Sequence, residues 1–239
     1  MNEIIEPIAE TTYPLLPMRG LSVFPGMLIN FDVIRERSVA ALDTALAGNR
    51  TVFVVAQRDI SQEIPAEKDL YTIGTLCRVK QLLRIPGMDG ARVLVEGQQR
   101  ARMLRFESQE KYDAAAILPV ETETKFSSAR AEALIRQCLS LFDEYVHLFG
   151  ALPTEILAKV ADSDDPGYIS DFIAQNIYMK PEKKQALLEE FELGADLDRP
   201  VPFRREDGCR RVERAIGSSR TVEFGADRIG RGRIGRIQA

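Results

Sequence analysis

The apolar period of this chain changes once, and that change bounds what it can fold into. Up to about Glu121 apolar residues alternate with polar ones or form short β-branched runs, the pattern of strands buried on one or both faces. After Phe126 they recur every three or four residues, the pattern of one helix face. A strand-rich part followed by a helix-rich part predicts an α+β protein.

Within the first part, MLINFDV (Met27 to Val33) alternates, with Ile29, Phe31 and Val33 on one side and Leu28, Asn30 and Asp32 on the other. Ser38 is the expected N-cap of a helix carrying Val39, Leu42 and Leu46, stopped by Gly48-Asn49. TVFVVAQ (Thr51 to Gln57) is continuous and β-branched, as a fully buried strand is. Strands are also expected over Thr72 to Ile85, Ala91 to Gly97, Arg100 to Gln109 and Tyr112 to Glu121. Pro86-Gly87-Met88-Asp89-Gly90 is a turn cluster between the first two of these, which makes a hairpin with a projecting tip. The set reads as a small antiparallel β-barrel or sandwich.

In the second part, a helix to about Phe149 carries the stripe Leu134, Cys138, Leu141, Phe142, Tyr145 and Phe149. Thr154 opens a shorter helix through Val160. Asp165-Pro166 is an N-cap followed by proline at the first helical position, opening a helix with Ile169, Phe172, Ile173 and Ile177. Pro181 opens a fourth, with Leu187, Leu188 and Phe191. Four such helices make a compact α-helical bundle.

From Arg199 to Ala239 the composition shifts to 11 arginines, no lysine and five acidic residues, a balance of +6. With a total of −4, residues 1–198 carry −10. An acidic body disfavours generic nucleic-acid binding, while the basic tail leaves an electrostatic route to it. The tail lacks persistent apolar periodicity and is expected to be disordered.

Most catalytic chemistries find no support in the residues. There is no Gly-Lys dipeptide, so a P-loop is excluded. Gly230 to Gly235 matches GxGxxG by letter, but only four residues follow where a helix must begin. The single histidine, His147, sits between Val146 and Leu148 and is expected to be partly buried; no GxSxG elbow is present to partner it. Cys77, Cys138 and Cys209 are widely spaced, with Cys77 and Cys138 expected as buried thiols. Asp162, Asp164 and Asp165 lack EF-hand spacing. No catalytic, cofactor or metal residue is therefore assigned. No apolar run approaches the roughly 18–20 residues that span a bilayer, and the acidic N-terminus lacks signal-peptide character, so no membrane association and a cytoplasmic location are expected. The candidate contact surface is the hairpin tip, where Ile85, Pro86 and Met88 offer an adaptable apolar contact for unfolded chains.

Four motifs in order then carry a resemblance. The run Tyr13 to Leu42 holds Leu16, Pro17, Arg19, Val23, Phe24, Pro25, Gly26, Arg35 and Ser38. YTIGTLCRV (Tyr71 to Val79), VLVEGQQRARM (Val93 to Met103), and DPGYISDFIA with KPEKKQALLE (Asp165 to Ala174, Lys180 to Glu189) follow. Together they resemble the N-terminal domain of Lon-type ATP-dependent proteases over about residues 13–195. The resemblance implies a PUA-like β-subdomain followed by a helical bundle. It also implies a non-catalytic role in substrate recognition and ring assembly, with unfolded or tagged proteins and other Lon subunits as partners. The AAA+ and Ser-Lys protease domains of that family have no counterpart here, and the family's Lys- and Glu-rich helix is replaced near Asp196 by the arginine-rich tail, as a frameshifted or truncated gene would produce. The expected organisation is an arm at 1–12, the β-subdomain at 13–121, the helical subdomain at 122–195 and the tail at 196–239. The alternative is a stand-alone PUA-like RNA-binding module that uses the basic tail.

Overall fold

The computed structural model describes residues 11–84, 90–120, 129–149, 160, 163 and 165–189. The chain divides into two compact units, Met1–Val120 and Glu121–Ala239.

The first unit is built on six strands: β1 (Thr11–Met18), β2 (Leu28–Val33), β3 (Thr51–Ala56), β4 (Ile73–Arg84), β5 (Ala91–Ser108) and β6 (Asp113–Pro119), with helix α1 (Glu36–Ala47) between β2 and β3. Their order is β2-β5-β4-β3-β1-β6, and β6 also pairs with β5. The five strands β1, β3, β4, β5 and β6 therefore close into a barrel, with β2 attached outside the ring along the first half of β5. At 18 residues, β5 serves both β2 and β6, and bulges at Leu76/Cys77, Val79/Gln81 and Met103/Arg105 supply the bending that closure needs. One pairing departs from the antiparallel set expected: β1 and β3 run parallel, with Leu16 opposite Val54. The chain between them passes through β2 and α1, long enough for the crossover that a parallel pair requires.

Burial explains the sequence pattern of β3. Val52 and Val54 enter a core shared with α1, β2 and β5, while Phe53 and Val55 enter a second core with Leu15, Leu76, Ala101, Met103, Ala115 and Ile117. Both faces are covered, so the run is continuous rather than alternating. Helix α1 begins two residues before Ser38, with Arg35 at the N-cap and no side-chain cap. Ser38 is instead buried inside the helix, and the Arg35 guanidinium is occupied elsewhere. Arg37, in the first turn of α1, clamps the β5–β6 turn. Its Nη2 donates to Asp113 Oδ1 at 2.7 Å, to the Gln109 carbonyl at 2.8 Å and to the Tyr112 carbonyl at 2.9 Å. The bond to Asp113 raises the Arg37 pKa above its ordinary value.

The position of β2 depends on the turn before it. Met27 N–H donates to the Phe24 carbonyl at 3.1 Å, and Gly26 has φ 75°, as a turn with Pro25 first and glycine second requires. Gly26 N–H donates to the Gly97 carbonyl at 2.9 Å and Gly97 N–H to the Met27 carbonyl at 2.8 Å. The turn lies so close that a Cβ at Gly97 would sit 2.2 Å from the Phe24 carbonyl oxygen. One residue earlier, the Val23 carbonyl accepts the buried Thr75 hydroxyl at 2.6 Å.

The second unit contains α2 (Ala129–Phe149), α3 (Pro166–Asn176) and α4 (Pro181–Glu189). Asp165 caps α3 through Gly167 N–H at 2.8 Å and Tyr168 N–H at 3.2 Å, as the Asp-Pro pair predicts. The core gathers Cys138, Phe142, Tyr145 and Val146 from α2, Ile169 and Ile173 from α3, and Val160 and Ile177. Tyr178 N–H donates to the Tyr145 hydroxyl at 2.8 Å, and Lys184 Nζ donates to the Gln175 carbonyl at 2.9 Å while burial lowers its pKa. His147 is exposed rather than partly buried: it lies off the Phe142–Tyr145–Val146 face and its Nδ1 sits 2.8 Å from the Asp143 carbonyl. The helix expected from Thr154, apart from Val160, and the tail from Arg199 lie outside the described residues.

Two predictions follow from this packing. Gly97→Ala is expected to destabilise the first unit by about 2–3 kcal/mol, because backbone must move to admit the methyl group; urea unfolding of the variant measures it. Cys77 and Cys138 are buried, and desolvation pushes the Cys77 pKa strongly upward. At neutral pH both are expected to resist iodoacetamide until the protein unfolds, read by peptide mass spectrometry.

Candidate functional site

Among the described residues, β2 presents an open sheet edge. β2 pairs only with β5, so its other edge faces no strand among the described residues. The register places Leu28, Asn30 and Asp32 of β2 beside Glu96, Leu94 and Arg92 of β5, and these beside Arg78, Gln81 and Leu83 of β4. This side of the three strands lies opposite the core that takes Val79, Val93 and Val95. Leu28 is 60% and Leu83 53% exposed, large values for leucines in regular strands.

Two ion pairs lie on this face. Arg92 forks onto Asp32, with Nε to Oδ1 at 2.7 Å and Nη2 to Oδ2 at 2.8 Å. That bond holds the Asp32 carboxyl below the usual carboxylate range. Lys80 Nζ reaches Glu96 Oε2 at 2.7 Å, and the bond lowers the Glu96 pKa. The face therefore carries two ion pairs and the exposed Arg78, with leucines between them.

A second exposed feature is the loop between β3 and β4. Its Gln62 carbonyl accepts from Gln57 Nε2 at 3.1 Å, Arg19 Nη2 at 3.2 Å and Arg35 Nη2 at 3.5 Å. Arg35 Nη2 also donates to Gln57 Oε1 at 2.6 Å; its burial, with the nearby charge of Arg19, lowers its pKa. Anchored in this way, the loop carries Ile60 and Ile64 outward, Ile64 at 80% exposed. In the second unit Leu148 and Tyr178 are the corresponding exposed apolar side chains.

Ile85, Pro86 and Met88 lie outside the described residues. The strands that flank them pair to the last described residue, Arg84 opposite Ala91, which forms the hairpin the turn cluster predicts. At its base, Ile34 is exposed and lies close to Gly90. Sequence reasoning missed the β2 edge and the Ile60–Ile64 loop. The alternation of Leu28, Asn30 and Asp32 was visible as a polar side, but nothing local signals that a strand has one neighbour rather than two. Among the described residues no group of three or more His, Cys, Asp or Glu side chains is placed to hold a metal ion. No helix among them is long and apolar enough to cross a membrane.

The residues that carried the resemblance meet in space as scaffold. Val23 to Met27, Thr75 and Gly97 form the turn junction, and Arg19 and Arg35 hold the Gln62 loop. Comparison with known proteins agrees with that pattern. Residues 12–199 match the family model described as the ATP-dependent protease La (LON) substrate-binding domain. The chain is 39% identical over 194 residues to Lon protease of Clostridioides difficile strain 630, covering 77% of this chain and 24% of that protein. It is 35% identical over 205 residues to Lon protease 1 of Bacillus subtilis strain 168, covering 85% of this chain and 26% of that protein. It thus spans about a quarter of the length of the relatives it matches. In fold, it is similar to the N-terminal domain of Mycobacterium avium complex Lon protease, with a TM-score of 0.67 at 19% identity, covering 87% of this chain and 98% of that one. The Xanthomonas campestris Lon N-terminal domain protein is similar at a TM-score of 0.56 and 13% identity, with the same coverage. With the turn junction, the barrel and the helical unit all built from the matched region, this chain belongs to the LON substrate-binding domain family.

Proposed function

We propose that this chain is a non-catalytic recognition and assembly domain that holds unfolded or tagged polypeptides for a Lon-type, ATP-dependent proteolytic machine. The observation that carries the reading is the family match over residues 12–199, a family described by substrate binding. The surface suits it: a sheet face with exposed leucines among ion pairs, and an anchored loop with exposed isoleucines, offer broad apolar contact rather than a deep pocket. Such contacts are individually weak, and several copies in a ring add avidity. The same reading takes other Lon subunits as partners and the cytoplasm as the location. Ile85, Pro86 and Met88 enter it on sequence grounds, as the apolar tip of the β4–β5 hairpin.

A reduced and carboxymethylated protein, which stays unfolded without denaturant, is the probe. Its fluorescence anisotropy is expected to rise on addition of the full chain, with affinity unchanged when Arg199–Ala239 is removed. No binding of the unfolded probe, together with salt-sensitive RNA binding that the deletion abolishes, would favour the RNA-binding module instead. In the same assay, Ile85→Ser combined with Met88→Ser is expected to weaken binding by about tenfold. Unchanged affinity removes the tip from the contact surface.

A further inference from the structure

We propose that the free edge of β2 takes up an extended segment of the unfolded polypeptide as an added strand, through the backbone groups of Leu28, Asn30 and Asp32. This rests on the recognition role proposed above and names how a chain would be held.

The geometry assigns the backbone groups. Gly97 N–H donates to the Met27 carbonyl, which makes Met27 and Gly97 a hydrogen-bonded position of the β2–β5 ladder. In an antiparallel pair such positions alternate. Ile29, Phe31 and Val33 therefore direct their N–H and C=O groups at β5, opposite Val95, Val93 and Ala91. Leu28, Asn30 and Asp32 direct theirs outward, along the edge that no described strand occupies. The six residues hold neither proline nor lysine, and β2–β5 pairing runs through all six without a bulge.

Side chains define the chemistry of the occupant. Ile29 and Phe31, on the core side of β2, are only half-buried, whereas Val93 and Val95 beside them on β5 are fully buried. One more strand with apolar residues at alternate positions would cover Ile29 and Phe31 as β2 covers its neighbours on β5. On the opposite side, Asp32 is held by Arg92 and Glu96 by Lys80, so most of the charge beside the edge is already paired. Main-chain pairing with a mild preference for alternating apolar residues describes a strand exposed by unfolding, not one particular partner. The turn fixed on Gly97 sets the start of the edge before any ligand arrives, which lowers the ordering cost of binding.

Amide hydrogen exchange of the isotopically labelled full chain tests this, with the reduced and carboxymethylated protein as probe. Alone, the N–H groups of Leu28, Asn30 and Asp32 are expected to exchange quickly and those of Ile29, Phe31 and Val33 slowly. With the probe the first three slow by about tenfold or more, the second three already being protected. Asn30→Pro removes one outward donor without touching a bond to β5 and is expected to weaken probe binding by about tenfold. Asn30→Thr, which keeps the donor, is expected to bind normally. If the proline variant no longer melts cooperatively, Leu28→Lys combined with Asn30→Lys replaces it, with the same loss expected. Binding that leaves the three amides fast overturns the strand-addition proposal and leaves the recognition role standing. Protection of the three amides without probe, whether at every dilution or only at high protein concentration, overturns it in favour of the chain's own segment or a second copy. No binding at all defeats the recognition role as well.

Discussion

The first unit depends on one backbone junction. The Phe24–Met27 turn lies against Gly97 with two main-chain hydrogen bonds and no room for a side chain, and Thr75 ties the preceding carbonyl from within. These contacts bring together residues from three distant stretches of sequence, near 25, 75 and 97. They set where β2 starts and on which half of β5 it lies. Because β5 must also pair with β6 to close the barrel, an error in this register would propagate around the ring.

The junction also explains why the most recognisable residues are not the exposed ones. Pro25 and Gly26 form a turn, Gly97 admits another backbone, Thr75 pairs inside and Arg35 crosslinks β1 to the loop between β3 and β4. Each has a geometric duty that few other residue types fulfil. The surfaces available for contact are composed of leucines, isoleucines and paired ions, which many residue types replace without damage to the fold.

Much of the fold was legible from local pattern. The alternation in β2, the continuous run of β3, the antiparallel pairing of β4 with β5 and the Asp165-Pro166 cap each report a local physical requirement, and the structure meets each. Other features were hidden because their causes are distant in sequence. Gly97-Gln98-Gln99 suggested a break between two strands, whereas β5 runs on to Ser108 and the glycine serves the Phe24 turn. Ser38 had the chemistry of a cap, but packing of α1 on the barrel placed it inside the helix. The parallel pairing of β1 with β3 and the single neighbour of β2 follow from barrel topology, which no local window contains. His147 was misjudged from its apolar neighbours, since adjacent residues on a helix face different sides.

Native-state amide exchange across the first unit at increasing urea tests the central role of the junction most directly. If the turn on Gly97 holds the barrel register, the N–H groups of Gly26 and Gly97 open only with global unfolding, alongside those of Val52 and Val54 in β3. Exchange of Gly26 and Gly97 through a low-energy local opening, while the β3 amides stay protected, would contradict it.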